Sequence, residues 1–139
     1  MSDQQPLWTP TAEMVKTAAV TEFTRLCGER FGVDLAEYDD LHAWSVSDRE
    51  HFWSAVWDFC DIQGQKGQTF LENGDAMPGA RFFPEARLNF AENLLAGRGD
   101  GDALVFRGED KVQYGLSWDE LRALVSRLQQ AMRSLGVGS

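Results

Sequence analysis

The sequence predicts an α/β protein, with α+β organisation in the part that this chain carries. Residues 1–99 are predicted to form a helical region, and residues 100–139 a β-hairpin followed by one helix. Apolar residues recur at helical spacing in the first segment, and an aromatic-rich run follows in the middle of the helical region. Two short apolar runs near the end then precede a long amphipathic stretch, which is typical of two strands and a helix.

The first helix is predicted to begin at Thr9-Pro10. Thr9 can act as the N-cap, and the ring of Pro10 suits the first helical position. Residues 11–27 contain no glycine or proline, and Gly28 or Gly32 can end the helix. One face of this helix carries the apolar residues Val15, Ala19, Phe23 and Leu26.

Two further helices are predicted between residues 38 and 60. The first is short and carries Tyr38, Leu41 and Trp44 on one face. Ser47–Glu50 has the pattern of a capping box, which would start the second. His51–Cys60 is too apolar for a narrow stripe, so we expect that helix to be buried on most of its circumference.

A glycine-rich connection is predicted over Gln63–Gly79, with a turn at Pro78-Gly79. Long connections of this kind are usually functional or packed over a neighbouring element. Pro84 is then expected to open a helix, because proline favours the first helical position. The apolar residues of that helix are Leu88, Ala91, Leu94 and Leu95.

The last segment carries the clearest local signals. Arg98–Asp102 is a polar linker, and Ala103–Arg107 and Lys111–Ser117 form a predicted hairpin around the turn Gly108–Asp110. Ser117–Glu120 is a capping box that starts an amphipathic helix. That helix carries Leu121, Leu124, Val125, Leu128, Met132 and Leu135, and Gly136 caps its end. Two strands alone are marginally stable, so we expect the sheet to continue in sequence beyond this chain.

Composition excludes several classes of function. The formal net charge of −9 disfavours binding to nucleic acid or to anionic membrane surfaces. The first ten residues lack the pattern of a signal peptide, and no apolar run is long enough to cross a bilayer, so we expect a cytoplasmic protein. Cys27 and Cys60 are far apart and are predicted to be buried thiols, the alternatives being a reactive thiol or a disulfide.

No common catalytic or phosphate-binding motif is present in the sequence. The glycine pattern at Gly97–Gly101 follows a predicted helix, which favours a solvated linker over a nucleotide loop. His42 and His51 lack metal-ligand spacing and are predicted to be structural. The paired carboxylates lie mainly at helix starts, where capping accounts for them. These pairs are Asp39-Asp40, Asp48 with Glu50, and Asp119-Glu120.

Arg81 and Arg87 flank an aromatic-proline run and could bind a phosphate or a carboxylate. The alternative, which we favour, is that they fix the loop through carbonyl or carboxylate partners, because no glycine-rich phosphate loop accompanies them. Asn89 and Asn93 share a helix face and are predicted to tether a neighbouring loop.

Three segments resemble one family. Tyr38–Trp57 is similar to the opening region of acetyl- and acetoacetyl-CoA synthetases, and Ala103–Gly138 to the first hairpin and helix of the large adenylate-forming domain. Met77–Leu95 is more specific. It has Asn-Leu-Leu-Ala-Gly from Asn93, where acetyl-CoA synthetases have Asn-Cys-Leu-Asp-Arg-His, and its MPGA and FFP runs are nearer the acetoacetyl branch.

The resemblance implies an ATP-dependent, AMP-forming acetoacetate–CoA ligase that uses ATP, Mg²⁺ and CoA. In this family the phosphate loop and the catalytic lysine lie downstream, so no catalytic, cofactor-binding or metal-binding residue is assigned to this chain. The chain alone is expected to be inactive and to pack on the rest of the same enzyme chain. Another short-chain acid, acetyl or propionyl, and a non-catalytic helical interaction module remain alternatives.

Overall fold

The computed structural model describes residues 7–96, 99–109 and 111–138. The chain divides into two compact units, Met1–Arg87 and Leu88–Ser139. The predicted domain boundary after residue 99 stays a prediction, and Arg98 and Asp110 of the predicted linker and turn lie outside the described residues. Helices dominate the first unit and a hairpin with one long helix the second, which confirms the α+β prediction.

Over residues 7–87, the described part of the first unit, there are four helices and a two-stranded sheet of minimal length. The strands pair antiparallel, with Leu71 opposite Phe82 and Glu72 opposite Arg81. The elements are α1 (Ala12–Lys16), α2 (Ala19–Phe31), α3 (Tyr38–Ser47), α4 (Arg49–Phe59), β1 (Leu71–Glu72) and β2 (Arg81–Phe82).

The predicted start at Thr9-Pro10 is wrong. Thr11 is the N-cap of α1, and its hydroxyl oxygen accepts a hydrogen bond from the Met14 amide at 3.2 Å. Both threonines have the chemistry of a cap, but the helix begins at Ala12, so the extended residue that caps it is Thr11, two positions after Thr9. The helix end at Gly32 is confirmed, since Gly32 has φ +66° in the left-handed region.

The predicted continuous helix over residues 11–27 breaks in two at Thr17 and Ala18. Ala18 has an extended backbone, with ψ 137°. The hydroxyl of Thr17 donates to the Glu13 carbonyl, and that of Thr21 donates to the Val15 carbonyl across the break. Such side-chain bonds compete with the helical ladder, and this competition is a local reason for the interruption.

The predicted capping box at Ser47–Glu50 is also wrong. Ser47 is the last residue of α3 and donates to the Trp44 carbonyl, while Asp48 stands as N-cap of α4 without a side-chain cap bond. The capping box lies instead at the start of α3, where Glu37 and Asp40 each accept from the other's backbone amide.

The core of the first unit is a cluster of five buried residues from α2, α3 and α4, namely Phe23, Cys27, Leu41, Trp44 and Ala55. Phe52 packs edge-on against both Phe23 and Trp44, with ring centroids 5.7 and 5.9 Å apart. Helix α4 therefore contributes to the core as predicted. Its burial is less complete than predicted, because Trp53 and Phe59 are 42% and 37% exposed.

The predicted helix starting at Pro84 is wrong. Residues 81–82 form β2, and Phe83 has φ +47°. A turn follows, in which the Ala86 amide donates a hydrogen bond to the Phe83 carbonyl. Helix α5 (Phe90–Leu95) begins six residues later, after Asn89. The Asn89 side chain accepts from the Glu92 amide, which gives the chain a cap that Pro84 does not have.

The second unit follows the predicted order closely. β3 (Asp102–Arg107) and β4 (Gln113–Ser117) form the hairpin, and α6 (Trp118–Ser134) follows directly. The predicted capping box is present between Ser117 and Glu120. Gly136 has φ +82°, and its amide and that of Val137 bond back to the Arg133 and Met132 carbonyls, which forms a Schellman end.

Candidate functional site

The residues best placed to have a function in the first unit form charged clamps that hold the long connection against the helices. Asp58 on α4 is the centre of the first, which we call the Asp58 hub (Arg30, Asp58, Lys66). Its Oδ2 accepts from Arg30 Nη1 at 2.7 Å, and its Oδ1 accepts from Lys66 Nζ at 2.8 Å. Lys66 Nζ also donates to the Ser54 carbonyl at 2.8 Å. The hub therefore joins α2, α4 and the start of the connection.

The protonation of Asp58 follows from these partners. Partial burial pushes the pKa of the carboxyl group upward, but the hydrogen bonds from Lys66 and Arg30 outweigh it and hold the pKa below its ordinary value. Lys66 Nζ also lies over the ring of Phe70, 5.2 Å from its centroid. The carboxylate thus stays charged at neutral pH and serves as a structural anion.

A second clamp, the Arg49 clamp (Arg49, Gly74, Asp75), fixes the middle of the connection. Arg49 Nη1 donates to the Gly74 carbonyl at 2.6 Å and Nη2 to Asp75 Oδ1 at 2.7 Å. Beside it, Arg81 Nη1 donates to Glu72 Oε2 at 3.1 Å across the small sheet. Arg81 therefore fixes the loop through a carboxylate, as the structural alternative predicts.

The third clamp, the Glu85 clamp (Gly67, Gln68, Thr69, Glu85), ties the first part of the connection to Glu85, which follows β2. Glu85 Oε2 accepts from the Gln68 and Thr69 amides at 2.7 and 3.3 Å, and Oε1 accepts from the Thr69 hydroxyl at 3.2 Å. The two hydrogen bonds from the backbone amides of Gln68 and Thr69 lower the pKa of Glu85 below its ordinary value. Next to this carboxylate, Gly67 has φ +82° and so little room that an added Cβ would stand 2.8 Å from Glu85 Cβ.

The backbone of Arg87 completes this arrangement. Its amide donates to the Gln65 carbonyl at 2.9 Å and its carbonyl accepts from the Gln65 amide at 2.8 Å, an isolated antiparallel bridge. Phe83 packs on the buried Trp57 of α4, with ring centroids 5.1 Å apart. Phe82 also packs edge-on against Trp53 of α4, with ring centroids 5.8 Å apart. The segment 65–87 is thus a loop closed at its base and packed on α4 through two aromatic rings.

Asn89 and Asn93 make local bonds in α5. Asn89 caps the helix, and Asn93 Nδ2 donates to the Asn89 carbonyl at 2.9 Å. The tethering of a neighbouring loop by this face stays a prediction.

The histidines have structural surroundings in the first unit. His51 Nδ1 lies 2.9 Å from both carboxylate oxygens of Asp48, and its ring packs on Phe31 with centroids 5.1 Å apart. His42 is exposed on α3 at the wall of a cavity described below.

The paired carboxylates serve the helix starts. Asp40 belongs to the capping box of α3, and Glu120 to that of α6, where the bond from the Ser117 amide lowers the Glu120 pKa. Asp119 Oδ1 accepts from Arg122 Nη1 at 2.9 Å. Asp40 and Glu120 therefore bind backbone amides at helix starts and Asp119 binds an arginine, which are structural roles.

The two cysteines differ in burial. Cys27 is 2% exposed, as predicted, and burial raises the pKa of its thiol. Cys60 is exposed, so the prediction that it is buried is wrong. Its position as the C-cap of α4 places it at the helix end, beyond the core face. Both are free thiols.

A cavity of about 350 Å³ lies between α2, α3 and α4. Most of its lining is apolar, so it is suited to burying an apolar group rather than to acid–base chemistry. The lining residues are Ala19, Val20, Phe23, Tyr38, Leu41, His42, Ser45, Phe52, Val56, Phe59 and Cys60.

Within residues 7–96, 99–109 and 111–138, no group of three or more His, Cys, Asp or Glu side chains could hold a metal ion. Over the same residues, no helix has the length and apolarity needed to cross a bilayer. The contacts that define the Asp58 hub and the Glu85 clamp were not anticipated from the sequence. Their partners lie 8 to 28 positions apart and belong to different helices or to the connection, so no helical or strand periodicity pairs them.

This chain is similar to known proteins in both sequence and structure. Residues 38–94 match the family described as acetyl-coenzyme A synthetase N-terminus. The acetoacetyl-coenzyme A synthetase of Rhizobium meliloti (strain 1021) is 60% identical over 139 residues, which are 100% of this chain and 21% of that protein. The malonamoyl-CoA synthetase of Penicillium aethiopicum is 32% identical over 96% of this chain and 19% of its own length.

A solved structure agrees with these relatives. Acetoacetyl-CoA synthetase from Streptomyces lividans superposes with a TM-score of 0.81 at 36% identity, over 96% of this chain and 21% of that chain. The chain spans about a fifth of the length of the curated relatives that it matches. It belongs to the acetoacetyl-CoA synthetase family and corresponds to the N-terminal region of its members.

Proposed function

We propose that this chain is the N-terminal structural region of an AMP-forming acetoacetate–CoA ligase. The complete enzyme would convert acetoacetate, ATP and CoA into acetoacetyl-CoA, AMP and diphosphate. The observation that carries the proposal is the 60% identity to an acetoacetyl-coenzyme A synthetase over the whole of this chain. Identity at this level over every element favours the same reaction in the protein that carries the chain.

The role of this chain within that enzyme is to supply a preformed, closed surface. The Asp58 hub, the Arg49 clamp and the Glu85 clamp fix the long connection in one conformation by bonds of 2.6 to 3.3 Å. A connection fixed in this way loses little conformational entropy when it packs on the rest of the same polypeptide. We propose that the partner of this surface is the rest of the polypeptide that carries the 139 residues.

ATP, Mg²⁺ and CoA are proposed as the cofactor and substrates of the complete enzyme. The described residues of this chain offer no carboxylate or histidine cluster for a metal ion. Transfer of the adenylyl group to the acid, with release of diphosphate, and of the acyl group to CoA needs cations, a phosphate-binding loop and positioned donors. We therefore place these groups in the remaining sequence and assign no step of the reaction to residues of this chain.

The proposal is tested by acetoacetate-dependent ATP–pyrophosphate exchange with Mg²⁺ in the full-length polypeptide that carries this chain. We expect exchange with acetoacetate, and none from the 139-residue chain. Exchange by the 139-residue chain itself would refute the structural role.

The acid is tested by comparing acetoacetate with malonamate, acetate and propionate in the same assay. Malonamate is included because one relative is a malonamoyl-CoA synthetase, and both acids carry a carbonyl group at the third carbon. A preference for acetate or propionate would refute the proposed substrate while leaving the ligase class intact. We also propose a cytoplasmic location, which agrees with two free thiols and is tested by cell fractionation.

A further inference from the structure

A second cavity, of about 240 Å³, adjoins the cavity of about 350 Å³ described above. Phe23 and Phe59 line both, so the two compartments meet at these rings. Together they follow α2 from Val20 to Arg30, a distance of about 15 Å along the helix axis. Val20, Leu26 and Phe59 are 37% to 49% exposed, so the surface is open to solvent. We call it the α2 groove (Val20, Phe23, Leu26, Arg30 and Phe59).

Charge is concentrated at one end of the α2 groove. The described residues that line the larger cavity include no Asp, Glu, Lys or Arg, whereas Arg30 and Asp58 line the smaller one. The Asp58 hub contains two cations and one carboxylate, so this end is locally positive. At physiological ionic strength, exposed charges more than about 8 Å away are largely screened, so the net charge of −9 does not cancel this local excess.

Arg30 has donors left for an anion. A guanidinium group has five N–H donors, and among the described residues that of Arg30 makes one hydrogen bond, from Nη1 to Asp58 Oδ2. The side chain is 52% exposed, and its Cζ lies 5.1 Å from the centroid of the Phe31 ring, which holds the guanidinium plane. Planar donors of this kind match the two oxygens of a carboxylate.

We infer that the α2 groove binds a medium-chain fatty carboxylate. The carboxylate accepts hydrogen bonds from Arg30, and the acyl chain lies in the smaller cavity and continues past the exposed edge of Phe59 into the larger one. Each methylene group that leaves water for these apolar walls adds to the affinity. The inference goes beyond the proposed function and does not depend on it, since the groove lies within the first unit and takes no part in the proposed reaction.

Other ligands fit the groove less well. An α-helix of a partner protein is about 10 Å wide and lies along a continuous groove. Here Phe23 and Phe59, with ring centroids 5.2 Å apart, divide the surface into two compartments that a thin acyl chain can join. A fatty amine would meet the positive Asp58 hub, whose carboxylate oxygens already accept from Arg30 and Lys66.

Calorimetric titration of the full-length polypeptide with dodecanoate, without ATP, tests the inference. We expect saturable binding with a negative change in heat capacity, the sign of apolar burial. Arg30→Gln should weaken binding at least about tenfold, because a charge-assisted bond is lost. Arg25→Gln is the matched control, since Arg25 lies on the same helix, is also 52% exposed and pairs with Glu22 and Glu29 outside the groove. Equal affinities of the parent and Arg30→Gln, or equal losses in the two variants, would overturn the inference.

Leu26→Trp tests the apolar part without touching the Asp58 hub. The larger side chain fills the smaller cavity, so we expect it to weaken dodecanoate binding as well. Circular dichroism establishes that the variants fold, and Leu26→Trp decides the question if Arg30→Gln does not. Unchanged affinity of a folded Leu26→Trp variant would overturn the inference. Equal binding of dodecyltrimethylammonium by the parent would show that the groove does not select a carboxylate, and would also overturn it.

The position of the acyl chain is read at Cys60, a free and exposed thiol on the wall of the larger cavity. Dodecanoate should slow the labelling of Cys60 by a water-soluble thiol reagent, followed by peptide mass spectrometry. At the same dodecanoate concentration, Arg30→Gln should show little slowing. A parent protein that binds dodecanoate with Cys60 labelling unchanged would overturn the inference. Cys60 that is unreactive without dodecanoate, in a polypeptide that binds none, would mean that another segment of the polypeptide fills the groove, and would overturn it too.

Discussion

Replacing Phe23 with alanine tests how α2 is held in the first unit. Phe23 is 8% exposed, and its ring meets Phe52 and Phe59 edge-on with centroids 5.7 and 5.2 Å away. Removing a buried phenylalanine costs about 3–5 kcal/mol of unfolding free energy in typical cores. Edge-on pairs contribute about 0.5–1.5 kcal/mol each beyond the area that they bury.

For Phe23 we expect the lower end of the range of about 3–5 kcal/mol. Its side chain lines two cavities, of about 350 and 240 Å³, so parts of the ring already lack packing partners. We therefore expect Phe23→Ala to lower the free energy of unfolding by about 3 kcal/mol. That is a large fraction of the total stability of a small domain, which is about 5–15 kcal/mol.

Urea unfolding followed by tryptophan fluorescence measures the loss, because Trp44 and Trp57 are buried in the same unit. Phe90→Ala is the matched control, since it makes the same chemical change at a residue that is 78% exposed on α5. We expect that control to change stability by less than about 0.5 kcal/mol. Equal losses in the two variants would refute the assignment of Phe23 to the core.

Three further predictions concern the clamps and helix ends. Glu85 has a lowered pKa, so its contribution to stability is present above about pH 4.5 and is lost as the pH falls through the pKa of the folded state. Between pH 7 and pH 3, urea unfolding should therefore show a smaller loss of stability for Glu85→Gln than for the parent protein. Identical pH profiles of the two proteins would contradict the Glu85 clamp. Gly67 and Gly136 both have φ +82°, so alanine at either position costs about 1–2 kcal/mol of unfolding free energy. Only Gly67→Ala also brings a Cβ against Glu85 Cβ, so thermal unfolding should show a larger loss of stability for Gly67→Ala than for Gly136→Ala. Equal losses would count against this close approach. Ser117→Ala should destabilise α6 by about 1 kcal/mol in amide hydrogen exchange, whereas Ser126→Ala on the same helix should change little, and similar effects would count against the capping box.

The second unit was predictable because its signals act over a few residues. The capping box joins Ser117 to Glu120, three positions apart, and the Schellman end joins Gly136 and Val137 to carbonyls within five positions. The hairpin pairs neighbouring strands around a short turn. In each case the interacting groups are close in sequence, so their residue types alone specify the geometry.

The first unit exposes the limit of the same method. Thr9 and Ser47 have the chemistry of N-caps, yet Thr11 and Asp48 stand at the helix starts. Local propensity allows several neighbouring starts that differ little in free energy, and the packing of the apolar faces selects among them. Pro84 illustrates the same point, because a proline suited to a helix start lies instead in a turn after β2.

The sequence by itself determined the family, the α+β class, the hairpin and the last helix, since these depend on motifs and on short-range hydrogen bonds. Only the tertiary structure decided which carboxylates hold the long connection. Asp58 meets Arg30 across 28 positions, and Glu85 meets Gln68 across 17. Charged side chains at such separations carry no periodic signal, and they become partners only after the helices have packed and brought them within hydrogen-bonding distance.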